Sequence, residues 1–109
     1  MSMTRYGMVL RVRPEREKEY IDCHAAVWPE VLTLIRDCQI RNYSIYLKDG
    51  FLFAYFEYHG ADYAADMKKM AASEAMQKWW RLMEHMQDPL PTRQPGEWWA
   101  RMDEVFHTD

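Results

Sequence analysis

The sequence lacks several motifs that mark metal-dependent, phosphate-binding and nucleophilic enzymes. It contains no His-Glu-x-x-His and no Cys-x-x-Cys motif, so we expect no metal site. Its glycines form no phosphate-binding loop, and there is no Gly-x-Ser-x-Gly nucleophile elbow. Cys23 and Cys38 are the only cysteines. On one helix they would lie about 22 Å apart, whereas a disulfide requires Cα atoms within roughly 7 Å, so we expect two reduced thiols.

Strong charge and long apolar runs are absent as well. The net charge is only −3, with both signs mixed along the chain, which argues against binding to nucleic acid or to an anionic membrane. No stretch approaches the roughly 20 apolar residues of a membrane span. Arg5, Arg11 and Arg13 interrupt the only early apolar run, so we expect no signal peptide. These features, with the reduced thiols, favour a soluble cytoplasmic protein.

Aromatic residues, in contrast, are abundant. The 109 residues suit one domain with a single core, spanning residues 1–109. They include five tryptophans and seven tyrosines, more than a core of this size buries easily. We therefore expect some of these rings to line a pocket or a contact between subunits.

Apolar periodicity and turn residues predict an alternation of strands and helices. Asp49-Gly50 is typical of a tight hairpin turn, Ser73 is a predicted helix cap, and Asp88-Pro89 is predicted to stop that helix. The prolines between 89 and 96 predict a loop. The predicted elements, in chain order, are strand 6–12, helix 15–37, strand 42–48, strand 51–59, helix 60–70, the helix that Ser73 caps, and a short strand 104–107.

This order predicts an α+β fold with helices on one face of an antiparallel sheet. The third strand is apolar on both faces: Phe51 and Phe53 point one way, while Leu52 and Phe56 point the other. Helices can cover only one of these faces, and the other would remain a large exposed apolar patch. Packing two sheets face to face would cover it, so we predict a homodimer. A C-terminal segment crossing to the other subunit could serve the same purpose.

The most unusual stretch lies in the first predicted helix. Tyr20 and His24 are one helical turn apart on the stripe that should face the core, and Pro29 should bend the helix just beyond them. A bend beside two proton-carrying side chains indicates a pocket. His24 has two interpretations: a core histidine bonded to a backbone carbonyl, or a general acid/base whose ordinary pKa suits neutral pH. His59, His85 and His107 are better explained as ordinary surface residues.

Two adjacent tryptophans, Trp79 and Trp80, fall in the predicted late helix. Neighbouring helical residues point about 100° apart, so one ring can be core while the other faces a cavity rim. Their periodicity alone favours core positions for both. Aromatic faces are also the surfaces on which sugars stack, because the axial C–H groups of a pyranose are apolar.

Five blocks of the chain together resemble the L-rhamnose mutarotase family. They occur in order, span nearly the whole chain, and include the specific patterns Tyr-x-x-x-His-x-x-x-Trp-Pro-Glu and Asn-Tyr-x-Ile-Tyr. The blocks are Glu19-Tyr20 with His24; Val27-Trp28-Pro29-Glu30; Asn42-Tyr43-Ser44-Ile45-Tyr46-Leu47; Lys78-Trp79-Trp80 with Met83; and Glu104-Val105-Phe106-His107.

The resemblance implies a dimeric α/β barrel with a ferredoxin-like sheet and a cofactor-free isomerase. Such an enzyme interconverts the α and β anomers of a 6-deoxyhexose. By resemblance, His24 is the proton donor and Tyr20, Tyr43, Trp79 and Trp80 bind the sugar; we expect Tyr20 also to orient or relay the proton. The chain departs from the family pattern over residues 87–99, where it carries two extra tryptophans.

Several alternatives remain at this point. L-rhamnose is the expected sugar, with L-fucose as the alternative, because the altered segment 87–99 could reshape one wall of the pocket. A second enzyme class on the same scaffold is a cofactor-free oxygenase acting on aromatic substrates. A third alternative is a ligand-binding module without catalysis. The pairing of Tyr20 and His24 with the double tryptophan favours the mutarotase.

Overall fold

A computed structural model describes residues 3–109 as an antiparallel sheet of five strands with helices packed on one face. A single 3₁₀ turn, Pro14–Arg16, precedes the first helix. The elements are β1 (Thr4–Val12), α1 (Glu17–His24), α2 (Pro29–Asp37), β2 (Ile40–Lys48), β3 (Phe51–Tyr58), α3 (Tyr63–Ala71), α4 (Glu74–Glu84), β4 (Gln87–Asp88) and β5 (Ala100–Met102).

The strands lie in the order β2-β3-β1-β4, which is the ferredoxin-like order, and β5 also pairs with β1. Both β4 and β5 occupy the same edge of β1. Gln87 pairs with Val12 at one end, and Ala100 pairs with Val9 further along. The fourth strand is thus interrupted by an excursion of residues 89–99. The predicted α+β fold, with helices on one face of an antiparallel sheet, is confirmed.

One face of the sheet forms the core together with the helices. On β3, Leu52, Ala54, Phe56 and Tyr58 are buried, whereas Phe51 and Phe53 on the opposite face are exposed. This alternation follows from the two-residue period of a strand. The largest fully buried side chains of the core are Leu10, Leu52, Met76, Met86, Val31 and Cys38.

The prediction of one bent helix over residues 15–37 is wrong, because the chain forms two helices. Pro29 cannot donate a hydrogen bond to the carbonyl of Ala25, and its ring forces the preceding residue out of the helical region. Trp28 accordingly has φ −58° and ψ 133°, and Pro29 becomes the first residue of α2. The break ends α1 at His24, so that residue lies at a helix terminus rather than within a continuous helix.

The hairpin prediction is confirmed, whereas the last strand is misplaced. Asp49 and Gly50 have φ 53° and 79°, the left-handed values that this tight turn requires. The predicted strand at 104–107 is wrong: β5 is Ala100–Met102, and the described residues after it form no helix or strand. Only two adjacent apolar residues support the predicted strand, and they are left in solvent, with Val105 93% exposed.

Both late helices begin at side-chain caps. The Asp62 carboxylate accepts from the backbone N–H of Ala65, and the Ser73 hydroxyl accepts from that of Met76, as predicted for Ser73. Helix α4 ends at Glu84, earlier than the predicted stop at Asp88, because Gln87 and Asp88 join the sheet. Within residues 3–109, no helix has the length and apolar character needed to cross a membrane.

Candidate active site

Tyr20 and His24 pack against each other at the end of α1, with ring centroids 4.2 Å apart and ring planes tilted by 30°. Tyr20 is buried, whereas His24 is half-buried. The Nδ1–H of His24 donates to the backbone carbonyl of Tyr20 over 2.8 Å. The carbonyl can only accept, so Nδ1 must carry the hydrogen, and the neutral ring has its lone pair on Nε2.

Burial sets the protonation state of both groups. It lowers the pKa of His24 below its ordinary value, although the bond to the Tyr20 carbonyl opposes this shift. The imidazole is therefore neutral at pH 7. Burial raises the pKa of Tyr20 far above its ordinary value, while a side-chain hydrogen bond from Gln87 opposes this. The site thus combines a free imidazole nitrogen with a phenol that keeps its proton.

Tyr43 reaches the site because β2 contains a bulge. Arg41 pairs with Glu57 and Ser44 with Tyr55, so two residues of β2, Asn42 and Tyr43, lie opposite one residue of β3. Asn42 has φ 50°, in the left-handed region. The extra residue changes the parity of the strand and turns Tyr43 to the inner face.

There the Tyr43 ring lies 5.4 Å from the ring of Phe56. Tyr43 is 39% exposed as a whole residue. Burial of its hydroxyl group raises the pKa of Tyr43 to about 12. The phenol therefore stays protonated at neutral pH and can offer a hydrogen bond to a ligand.

The two tryptophans of α4 point in different directions, as their spacing allows. Trp79 is buried and lies edge-on to His24, at 5.6 Å, and to Trp28, at 5.1 Å. Trp80 is 37% exposed, which contradicts the expectation from periodicity that both are core. Trp79 packs against His24, whereas Trp80 leaves part of its ring accessible.

Two cavities meet at this group of residues. One, of about 610 Å³, lies beside α1 and α2 and is lined mainly by aliphatic side chains; we call it the aliphatic cavity. The other, of about 500 Å³, is bordered by four tryptophans, and we call it the tryptophan cavity. Both volumes fall in the range of roughly 300–1,000 Å³ that is usual for small-molecule sites. The residues that line both cavities are Tyr20, His24, Val31, Ile35, Tyr43, Ile45 and Trp79.

All five residues singled out in the sequence therefore lie around the tryptophan cavity: Tyr20, His24, Tyr43, Trp79 and Trp80. His59, His85 and His107 lie outside the lining of both cavities. In the described part of the chain, no three His, Cys, Asp or Glu side chains are grouped as a metal would require.

Sequence reasoning missed two polar residues of this cavity, Glu84 and Gln87. Gln87 is buried, at 3% exposure, and its side chain lies between two aromatic residues. Its Oε1 accepts from the indole N–H of Trp98 over 2.8 Å, and its Nε2 donates to the Tyr20 hydroxyl over 3.4 Å. Trp98 and Trp99 line the same cavity, so the altered segment 87–99 does form one of its walls. The departure of this segment from the family pattern was the only signal in the sequence.

Known proteins match this chain over nearly its whole length. The sequence model of the L-rhamnose mutarotase family matches residues 5–108. An L-rhamnose mutarotase of Phocaeicola vulgatus is 36% identical, with 98% of this chain and 100% of the relative covered. Another, from Lactiplantibacillus plantarum, is 33% identical with the same coverage.

Solved structures share the fold. The crystal structure of an L-rhamnose mutarotase from Formosa agariphila matches with a TM-score of 0.75 and 24% identity, covering 97% of this chain and 99% of that chain. A NIPSNAP family protein from Agrobacterium tumefaciens matches with a TM-score of 0.61 and 14% identity, covering 79% of this chain and 77% of that one. The structural likeness supports the ferredoxin-like, dimeric-barrel type of fold. With the family match across residues 5–108 and relatives above 30% identity, the chain belongs to the L-rhamnose mutarotase family of isomerases.

Proposed function

We propose that this chain interconverts the α and β anomers of L-rhamnose, an isomerisation of the aldose 1-epimerase type. The observation that carries the proposal is the neutral His24 imidazole packed against the Tyr20 phenol at the wall of the tryptophan cavity. The names of the relatives from Phocaeicola vulgatus and Lactiplantibacillus plantarum support L-rhamnose as the sugar.

His24 moves the proton in this proposal. Ring opening requires the anomeric hydroxyl to lose a proton and the ring oxygen to gain one while the C1–O5 bond breaks. The free Nε2 of His24 accepts the hydroxyl proton, and the resulting imidazolium delivers a proton to the ring oxygen. Both oxygens are bonded to C1, so one nitrogen reaches both after a small shift. The aldehyde then turns about the C1–C2 bond, and closure by the reverse steps gives the other anomer.

Tyr20 acts as a hydrogen-bond donor that retains its proton. Negative charge grows on the ring oxygen as its bond to C1 lengthens. A phenol in a buried site stabilises that charge without having to reorient, and electrostatic preorganisation of this kind often contributes more to catalysis than any other effect. The raised pKa of Tyr20 keeps the hydrogen in place throughout the neutral range.

The remaining aromatic residues hold the sugar. The accessible part of Trp80 and the wall formed by Trp79 offer flat apolar surfaces to the C–H groups of the pyranose. The hydroxyl of Tyr43 supplies a polar contact on the opposite side, from the sheet. The L-rhamnose methyl group adds a further apolar contact that a fully hydroxylated hexose lacks.

Anomer exchange measured by saturation-transfer NMR tests the proposal. The panel consists of L-rhamnose, L-fucose and common aldohexoses, each with and without protein. We expect the largest acceleration with L-rhamnose. A larger acceleration with L-fucose would reassign the sugar to the alternative 6-deoxyhexose. Tryptophan quenching by L-rhamnose without faster exchange would indicate a binding module, and oxygen consumption with a polycyclic phenol would indicate an oxygenase.

We further propose that the active form is a homodimer built on the outer face of the sheet. Val9, Phe53 and Tyr46 lie side by side there, because Val9 pairs with Phe53 and Phe53 with Tyr46. Tyr46 is 66% exposed and Phe53 is 38% exposed. A contiguous apolar row of this kind is costly to leave in water, and an identical face on a second chain covers it.

A further inference from the structure

Gln87 and Trp98 form a hydrogen-bonded chain that ends on the hydroxyl of Tyr20. The Trp98 indole N–H donates to Gln87 Oε1 over 2.8 Å, and Gln87 Nε2 donates to Tyr20 Oη over 3.4 Å. The second bond is longer than the usual 2.7–3.2 Å of an N–H···O bond. Such contacts at catalytic groups are often long before a substrate binds.

The chemistry of the indole and the amide fixes the donor-to-acceptor direction of these hydrogen bonds, from Trp98 through Gln87 to Tyr20. An indole nitrogen can only donate, so the amide of Gln87 must turn its oxygen toward Trp98. Its NH₂ group then faces Tyr20, and because that group can only donate, the phenol oxygen must accept. The hydrogen of the Tyr20 hydroxyl consequently cannot point at Gln87. It is left for another acceptor in the tryptophan cavity, which Tyr20 lines.

Gln87 and Trp98 both lie in segments that neighbouring hydrogen bonds fix. Gln87 lies in β4, paired with Val12 of β1, and the neighbouring backbone N–H of Arg13 donates to the carbonyl of Met86 over 2.8 Å. The segment before Trp98 is closed by the Glu97 carboxylate, which accepts from the backbone N–H of Gln94 over 3.0 Å. The amide and the indole are thus fixed independently, one by the sheet and one by the excursion 89–99.

We propose that Gln87 and Trp98 are positioning residues that direct the hydroxyl hydrogen of Tyr20 toward the ring oxygen of the bound sugar. The inference rests on the proposed function, in which Tyr20 donates to that oxygen while His24 moves the proton. It assigns a role to the segment in which this chain departs from the family pattern. Gln87 and Trp98 act through Tyr20.

Substitutions of Gln87 test whether its amide donates a hydrogen bond to the Tyr20 hydroxyl. Gln87→Met keeps the length of the side chain but cannot donate, so the Tyr20 hydroxyl is no longer oriented. We expect kcat for L-rhamnose exchange to fall about tenfold, with KM within about twofold of wild type. In Gln87→Glu, a carboxylate can only accept, so it draws the Tyr20 hydrogen away from the sugar. We expect a larger loss of kcat, of about a hundredfold, since a charged acceptor holds a hydroxyl more strongly.

A second variant tests the same hydrogen bonds without altering the buried Gln87, whose substitution could impair folding. Trp98→Phe removes the indole N–H and retains an aromatic ring at a partly exposed position. The amide of Gln87 is then free to turn over, and we expect kcat to fall about three- to tenfold. In the wild type, the NMR signal of the Trp98 indole hydrogen should lie downfield, and Gln87→Met should move it upfield. Thermal unfolding of each variant reports separately on stability.

A double-mutant cycle with Tyr20→Phe separates positioning from a general structural role. If Gln87 acts through the Tyr20 hydroxyl, Gln87→Met should cause no further loss in the Tyr20→Phe background. An equal loss in both backgrounds would overturn the inference, as would a Gln87→Glu variant with wild-type kcat. If the wild type accelerates exchange but the losses of Gln87→Met and Tyr20→Phe are additive, the positioning role is refuted and the proposed function stands. A wild-type protein without acceleration would overturn the proposed function, and this role with it.

Discussion

The Nδ1–H of His24 is bonded to the backbone carbonyl of Tyr20 over 2.8 Å, so each of these two residues helps to define the chemical state of the other. The Tyr20 carbonyl selects the tautomer of His24, and the His24 ring packs against the Tyr20 ring. The first interpretation of His24, a histidine bonded to a backbone carbonyl, is confirmed. The second, a general acid/base, stays a prediction, and the position of His24 in the lining of both cavities is compatible with it.

The pH dependence of exchange should report the lowered pKa of His24. Proton uptake from the sugar requires an unprotonated Nε2, so kcat/KM should fall as the pH falls through that pKa, which lies below the ordinary value. No corresponding loss is expected on the alkaline side up to about pH 10, because burial raises the pKa values of Tyr20 and Tyr43. Exchange rates measured by NMR from about pH 4 to pH 10 check this. A loss of activity as the pH rises from about 6 to about 8 would contradict an essential neutral imidazole.

Replacing His24 should remove catalysis and preserve sugar binding. His24→Gln keeps a polar side chain of similar size but cannot exchange protons near neutral pH. We expect kcat to fall about a hundredfold or more, which is the usual contribution of a general acid/base. Tryptophan quenching should still report L-rhamnose binding with an affinity near that of wild type. His85→Gln is the matched control, since His85 is exposed and outside both cavities. Retained exchange in His24→Gln would assign the proton transfer to another group.

The sequence predicted those features that depend on local steric rules. Asp49-Gly50 fixed the hairpin, because few other residues accept left-handed backbone angles in succession. Pro29 predicts a bend, whereas the structure has a complete break between α1 and α2. Loss of one backbone donor bends a helix, whereas the added restriction on Trp28 ends it. The helix break, and with it the position of His24 at a terminus, followed from this second effect.

The sequence could not predict the wall formed by residues 87–99. Gln87 contacts Tyr20, which is 67 residues away in sequence, and Trp98, which lies beyond an irregular loop. Neither hydrophobic periodicity nor turn chemistry reports such contacts. The bulge at Asn42 is an intermediate case, because the sequence contains a sign of it but does not give its position. Ile40 and Ile45 cannot face the same side of an unbroken strand, and this parity conflict is visible in the sequence.

The bulge gives a prediction about Asn42 and the position of Tyr43. Asn42 has φ 50°, and its side-chain amide donates to the Glu57 carboxylate over 2.7 Å. Valine tolerates this backbone angle poorly, so Asn42→Val should lower the free energy of unfolding by about 1–2 kcal/mol. It should also raise KM, because Tyr43 would turn away from the cavity.

Asn42→Gly is the matched control for the backbone. Glycine adopts the left-handed angle without strain, so only the hydrogen bond to Glu57 is lost. We expect a loss of about 0.5 kcal/mol and a KM near that of wild type. Urea unfolding and exchange kinetics measure both effects. Equal destabilisation by glycine and valine would show that the amide contact, and not the backbone angle, maintains the bulge.

The outer face of the sheet gives the last prediction, which concerns the homodimer. Phe53 lies at the centre of the apolar row, paired with Val9 on one side and Tyr46 on the other. Phe53→Lys would place two charges within the proposed interface without altering the buried face of β3. We expect the wild type to sediment as a dimer and Phe53→Lys as a folded monomer. Leu32→Lys is the control, because Leu32 is also an exposed apolar residue but lies on α2, away from this face, and its variant should remain dimeric. A Phe53→Lys variant that sediments as a dimer would place the contact between subunits elsewhere, with the exposed Val105 and Phe106 as the next surface to substitute.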